Sequence, residues 1–431
     1  MLLGLAYFFG LAFFLMSGIH VASAIFATAV ISDVLTIGVL PNMVGNILWN
    51  TMNEFLLVAI PLFILLGEIL TRSGVADRMY SALAVWLRWL PGGLLHTNIV
   101  TCALFAATSG SSVATAATVG TVALPTLKAQ GYNERLVLGS IAAGGTLGIL
   151  IPPSINMVVY GALTEVSVGK LFAAGIIPGI ALMLIMMGVI VVMALAGKVT
   201  KTNEKVLIPI LLRLKMLLDV LPVLFIFSIV MGGIYLGIAT PTEAAAMGVV
   251  GAVVIAAWNR TLSVKMLHGA FLAALRTTAM VILVVSAAFV LNFVLSITGV
   301  PQTLSTYVKD LGWSPMATIW ALVLFYLILG CFLEAIAMMV TTVGVVVPLV
   351  VSLGFDPLWF GIFMTLMMEM ALITPPVGLN LFVAQNIRLS RGSITDVYIG
   401  ALPFVIAMLL FVALLIYMPN IALWLPQKIF S

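Results

Sequence analysis

The sequence predicts an all-α polytopic membrane protein: an inverted repeat of two five-span halves, each with a re-entrant helical hairpin and a discontinuous helix. Three observations predict it. Of 431 residues, 63% are hydrophobic and only 7% charged, with a mean hydropathy of +1.29. The motif GILIPPSIN, carrying Pro152 and Pro153, returns 223 residues later as ALITPPVGLN, carrying Pro375 and Pro376. The basic residues then gather on one side of the arrangement that the repeat implies.

A soluble domain carries roughly 25% charged residues, so this chain has too few to cover a water-facing surface. Apolar runs long enough to span a bilayer recur throughout. Cys102 and Cys331 both lie in apolar stretches, which argues against a disulfide framework or a metal cluster. The net charge of +4 reports membrane topology, and no nucleic-acid partner is expected. The start, MLLGLAYFFGLAFFLM, lacks a basic leader region and reads as a first span.

The repeat divides the chain into 1–197 and 217–431, joined by a charged linker at 198–216. Beside the Pro pairs, Pro125 matches Pro348 and Gly131 matches Gly354 at the same offset. Gly74 matches Gly299 at an offset of 225, as Gly175 and Pro178 match Gly400 and Pro403. Three apolar segments open each half, at 1–17, 21–40 and 50–71, and at 217–237, 242–258 and 278–298. An amphipathic stretch accompanies the third, at 72–92 and at 260–277. A long run broken in its middle follows, at 95–127 and 318–350, and reads as a hairpin. Two spans close each half: 134–163 and 171–197, then 358–387 and 397–420, the first of each pair broken by its Pro-Pro.

If each hairpin returns to the side it entered from, each half crosses an odd number of times and the second half is inverted. Inverted repeats with interrupted helices are a signature of secondary transporters. Under this topology the linker side holds Arg72, Arg78, Arg88, Lys128, Arg135, Lys198, Lys201, Lys205, Arg213, Lys215, Arg260, Lys265, Arg388 and Arg391. The opposite side holds Lys170, Lys309 and Lys428, and Arg276 fits neither assignment clearly. By the positive-inside rule the linker is cytoplasmic and both termini are periplasmic. The first hairpin then enters from the cytoplasm and the second from outside.

Helix ends inside a bilayer expose backbone groups that need partners, so they line cavities or bind something. TSGSS at 108–112 is a helix breaker, and the small residues after it suit close packing. Hydroxyls and unwound carbonyls are hard oxygen ligands suited to Na⁺, while half-helix N-termini favour an anion. Two Na⁺ sites are expected. The first joins Ser109 and Ser112 to the carbonyls around Gly148, Ile151 and Pro153. The second joins the tip near Gly330 to Ala371, Thr374 and Val377.

Among the acids in or beside apolar runs, Glu54 and Glu68 read as interfacial and Glu243 as a helix cap. Glu334 and Glu369 are the candidate coupling acids. His20, His96 and His268 show no metal-ligand spacing, and no phosphate-binding loop or protease motif is present. The chain is therefore expected not to be an enzyme. An intramembrane hydrolase using Ser111 or Ser112 is the reading from another class.

SGSSVATAATVG, GGTLGILIPPSINMVVYG, LFAAGIIPG, GGIYLGIATPTEAAA and ITPPVGLNLFV, with AIPLFILLGEILTRSGVADR at 59–78, resemble the large membrane subunit of tripartite ATP-independent periplasmic (TRAP) transporters. The resemblance covers nearly the whole chain, in order. It implies an elevator-type transporter in the bacterial inner membrane, driven by the Na⁺ gradient. It also implies a small four-helix membrane subunit and a periplasmic binding protein that delivers an organic acid, such as a C4-dicarboxylate or a sialic acid. Substrate would lie beside the tips with Na⁺, where Ser111, Ser154, Asn156, Gly378 and Asn380 are candidates to meet its carboxylate. The amphipathic stretches would be the arms that hold the moving block. His20 stands where the family's second span usually opens near a proline. The chain starts directly at its first span, so the small subunit is expected as a separate polypeptide. A stand-alone Na⁺/anion symporter of the same superfamily is the alternative.

Overall fold

The computed structural model describes residues 2–199 and 209–430; Lys201, Lys205 and the rest of 200–208 in the predicted linker lie outside them. The first half runs through α1 (Leu2–Met16), α2 (Val21–Thr36), α3 (Leu40–Met52), a 3₁₀ turn (Phe55–Val58), α4 (Ala59–Arg72) and α5 (Val75–Leu87). It continues through α6 (Leu94–Ser109), α7 (Ser112–Ala129), α8 (Glu134–Thr146), α9 (Ile155–Thr164) and α10 (Val168–Leu195). After α11 (Ile210–Met216) come α12 (Leu221–Tyr235), α13 (Pro241–Trp258), α14 (Val264–Ile297), α15 (Val300–Asp310), α16 (Pro315–Gly330) and α17 (Ala335–Ser352). The chain closes through α18 (Pro357–Ile373), α19 (Leu379–Asn386), α20 (Ile394–Tyr417) and α21 (Asn420–Ile429). Among the described residues six helices, or seven with one bent pair, are long and apolar enough to cross a bilayer. This is an all-α, multi-span membrane fold.

Both predicted hairpins are helix pairs, α6–α7 and α16–α17, and both Pro-Pro segments break a helix, between α8 and α9 and between α18 and α19. The Pro152-Pro153 and Pro375-Pro376 bonds are both cis. Ser154 restarts the first broken helix by accepting a bond from Met157 N, as an N-cap should. Glu243 completes a capping box with Thr240 at the start of α13.

Two boundaries differ from the sequence reading. The segment at 50–71 is not one helix. α3 ends at Met52, Glu54 is extended, and α4 begins at Ala59. At an offset of 225, Asn53 and Glu54 correspond to Thr278 and Ala279, where α14 runs on unbroken for 34 residues. Asn53 and Glu54 place an amide and a charge in mid-segment, whereas Thr278 and Ala279 place only a small hydroxyl and a methyl there.

The second amphipathic element is also corrected. Residues 264–277 are the opening turns of α14, and the counterpart of α5 is α15. Gly74 and Gly299, with φ of 73° and 67°, are the left-handed N-caps of these two helices. Both follow the third span of their half and lead into its hairpin. α21 was not foreseen; it packs on α10, with Phe430 edge-on to Tyr235.

The helices pack in two groups. α2, α3, α4, α13 and α14 contact one another, while α8 packs against α6, α7, α19 and α20, and α18 against α16, α17 and α20. The broken helices form the core of the second group. Every residue from Leu136 to Thr146 and from Trp359 to Ile373 is buried. α8 and α20 approach so closely that a Cβ on Gly139 would overlap the Gly400 backbone.

Candidate functional site

The tip of α6–α7 lodges on the first helix break. Gly110 has φ of +60°, and a Cβ there would stand 3.0 Å from the Pro153 carbonyl oxygen. From the other side, a Cβ on Gly148 would stand 2.7 Å from the Ser111 carbonyl oxygen and 2.8 Å from Ser112 N. Only glycine permits this approach. Ser112 therefore lies against Gly148, and Gly110, next to Ser109, lies against Pro153. The Ile151 side chain is turned away, onto Gly179 of α10, which leaves its backbone as the part near the break.

Hydrogen bonding fixes the hydroxyls of this tip. Ser112 Oγ donates to the Thr146 carbonyl at 3.1 Å, across the two elements. Thr115 Oγ1 donates to the Ser111 carbonyl at 2.7 Å and lies 2.8 Å from Ser109 Oγ. A hydroxyl has one hydrogen. Thr115 has spent its own on Ser111, so Ser109 is the donor of the pair. Ser109 and Ser112 thus both give their hydrogens away and keep lone pairs to offer a cation. All three hydroxyl residues are buried. Thr115 and Thr146 are part of this network and were missed from sequence, although Thr115 stands one helical turn after Ser111.

The second tip is built differently. A Cβ on Gly330 would lie 2.5 Å from the Ala371 Cβ, so this tip also sits on its break. Cys331 Sγ lies 3.3 Å from the Leu327 carbonyl oxygen of its own helix and 3.4 Å from that of Pro375, the latter a contact the sequence did not suggest. Thr374 Oγ1 donates to Met370 O at 2.6 Å. Pro152 and Pro153 are buried, but Pro375, Pro376 and Val377 are exposed. A cavity of about 220 Å³ opens there, between Leu15 and Val21 of the first half and Gly330, Glu334, Val377 and Gly378 of the second.

Several other candidates have defined structural duties. Ser111 and Glu334 hold equivalent positions, 223 residues apart, as N-caps of α7 and α17. Asn156 and Asn380 each reach across the halves, Asn156 Nδ2 to Met368 Sδ at 3.9 Å and Asn380 Nδ2 to Ala142 O at 3.1 Å. Asn380 Oδ1 is buried without a partner. Glu369, also fully buried, has no hydrogen bond to either carboxyl oxygen. It lies at an offset of 223 from Thr146.

An ionic cluster fastens the ends of these elements. Arg388, just past α19, bonds Glu134 at 2.7 Å and Asp396 at 3.1 Å, and Asp396 bonds Arg135 at 2.8 Å. The bond to Glu134 holds the Arg388 guanidinium above its already high ordinary pKa.

Nothing here assembles a hydrolase. Ser112 gives its hydrogen to a carbonyl, Ser111 caps a helix, and His96 bonds the Pro91 carbonyl near the start of α6. Among the described residues no three His, Cys, Asp or Glu side chains converge as metal ligands.

Residues 5–421 match the family model described as the tripartite ATP-independent periplasmic transporter, DctM component. The chain belongs to this family. The DctM assignment makes it a transport component and not an enzyme. It is 37% identical to the C4-dicarboxylate TRAP transporter large permease protein of Pseudomonas aeruginosa, over 88% of each chain. It is 28% identical to the sialic acid large permease of Vibrio cholerae, over 97% of each. The isethionate TRAP permease protein DctMQ of Oleidesulfovibrio alaskensis is 34% identical over 96% of this chain and 65% of its own length. Among solved structures, the YdaH transporter of Alcanivorax borkumensis shares the fold, with a TM-score of 0.59 at 14% identity over 88% of both chains. MtrF of Neisseria gonorrhoeae does so with a TM-score of 0.56 at 13% identity, over 90% of this chain and 85% of that one.

Proposed function

We propose that this DctM-family chain is the large subunit of a Na⁺-driven importer of an organic acid, working by an elevator movement with a small membrane subunit and a periplasmic binding protein. The observation that carries the coupling is the first tip seated on its helix break. Two buried hydroxyls, Ser109 and Ser112, keep lone pairs free beside the carbonyls of the 147–153 segment. Hard oxygen donors without a fixed countercharge suit Na⁺. A second Na⁺ would use Thr374 and the carbonyls near Ala371 and Val377.

The two packing groups support a static scaffold, built around α4, α13 and α14, and a moving block of hairpins and broken helices. α5 and α15 would be the arms between them. The inverted topology is supported by contacts joining residues assigned to one side. Arg78 bonds Asn259, Trp86 bonds the Arg213 carbonyl, and Arg388 bonds Glu134. All are assigned to the linker side, and their basic residues support a cytoplasmic linker with the termini outside. The C4-dicarboxylate and sialic acid relatives suggest a C4-dicarboxylate, a sialic acid or a similar acid, met at the tips by hydroxyls, amides and helix N-termini.

The test is uptake into proteoliposomes by the complete complex, with the binding protein supplied outside. Accumulation should follow an inward Na⁺ gradient and stop without the binding protein. Accumulation that persists without it favours the stand-alone symporter; accumulation indifferent to Na⁺ removes the coupling.

A further inference from the structure

α14 carries an unneutralised basic stripe. Lys265, His268, Leu272 and Arg276 are spaced to fall on one face of the helix, and all four are exposed. Among the described residues, Lys265, His268 and Arg276 make no ion pair and no side-chain hydrogen bond. α14 itself contains no Asp or Glu, and neither do α3 and α17, which pack against it. Asp33 of α2, another neighbour, is buried and holds the backbone N–H groups of Val39 and Leu40. Asp310 ends α15, beyond the far end of α14.

A third cation joins Lys265 and Arg276 through a gap. Gly269 lies on the same face, and a Cβ there would stand 3.1 Å from Arg72 Nη1. The Arg72 guanidinium therefore rests against α14 between His268 and Arg276. Glu68 takes its Nε and Nη2 but not Nη1. The one acid nearby thus offsets one of the cations.

The face then changes character. Ala279 and Leu283 continue it, both apolar and exposed, flanked by Phe271, Leu275 and Met280, which are also exposed. Lys265 to Arg276 covers about 16 Å of helix axis. Helical side chains lean toward the N-terminus, so Arg276 reaches back toward Lys265. Cations at one end and bare apolar side chains at the other match the passage from headgroup to acyl chain.

We propose that this face binds the phosphate headgroup of an anionic phospholipid in the linker-side leaflet. Lys265, Arg72 and Arg276 meet the phosphate, and Ala279 and Leu283 meet the chains. The same contact explains how Arg276 is tolerated on an exposed membrane-length helix.

The permease complex would be purified and placed in nanodiscs of phosphatidylcholine, with or without phosphatidylglycerol. The readout is the phosphatidylglycerol retained through a further detergent wash. Lys265→Gln with Arg276→Gln changes two exposed side chains that make no ion pair or side-chain hydrogen bond, so its melting temperature in pure phosphatidylcholine should equal wild type. Its affinity for phosphatidylglycerol should fall about fivefold for each cation removed. High salt should weaken the wild type in the same direction, and Lys265→Arg with Arg276→Lys should restore retention. Equal retention by wild type and the Gln variant overturns the proposal. Unchanged retention with loss of the small membrane subunit on purification also overturns it, and assigns the face to a protein partner.

Discussion

Ser112 of α7 donates its hydroxyl hydrogen to the carbonyl of Thr146, 3.1 Å away, at the last turn of α8 before the helix breaks. The bond joins the hairpin tip to the discontinuous helix at their most buried point. It also uses the one Ser112 hydroxyl hydrogen, so the oxygen keeps its lone pairs. The following expectations start from that junction.

Gly148→Ala should disable transport while leaving the protein in the membrane. The added Cβ would meet Ser111 O at 2.7 Å and Ser112 N at 2.8 Å, both backbone atoms that cannot swing aside. Overpacking of this kind costs about 1–3 kcal/mol, and here it pries the tip from the break. Gly188→Ala is the control, since nothing lies within 4 Å of its Cβ position. Uptake assays on both variants check this; equal activity would mean the tip need not seat on the break.

Thr374→Ala should raise the Na⁺ concentration for half-maximal uptake about fivefold, the effect of losing roughly 1 kcal/mol. Its hydroxyl donates to Met370 O and so retains lone pairs, as Ser109 and Ser112 do. Thr374→Ser should restore the wild-type value. A normal Na⁺ titration in the Ala variant would separate the two halves chemically and limit Na⁺ to the first.

Arg388→Ala should lower the melting temperature of the complex, and Arg388→Lys should recover only part of the loss. One guanidinium serves both Glu134 and Asp396, and its planar fork suits two carboxylates better than an ammonium does. Both carboxylates remain partly exposed, so the effect should be modest. Differential scanning fluorimetry of the three proteins decides it; identical melting would reduce the cluster to surface decoration.

The broken helices and hairpins were legible because their signals are local. Pro-Pro cannot continue a helix, and TSGSS cannot hold one. The pairing of α5 with α15 was also legible in principle. The Gly74–Gly299 match points to it, but the hydropathy of 260–277 suggested a separate amphipathic segment. That stretch is the opening of the continuous helix α14, which periodicity alone does not distinguish from an arm. The break at Asn53–Glu54 was hidden because apolar residues flank it on both sides. At the site, sequence found the hydroxyls but not their hydrogen-bond directions. Thr115 became visible only once the tip folded back on itself against Ser109, and Cys331 only once the second tip met Pro375 of its break, 44 residues away.

The most direct test of the central claim is the Na⁺ dependence of uptake by the Ser109→Ala, Ser112→Ala double variant, in proteoliposomes of the complete complex. If the first tip and break hold Na⁺, the half-maximal Na⁺ concentration should rise about 30-fold, from two lost contacts of roughly 1 kcal/mol each, with binding-protein affinity for substrate unchanged. A double variant with the wild-type Na⁺ titration would contradict the account and remove Ser109 and Ser112 from the coupling site.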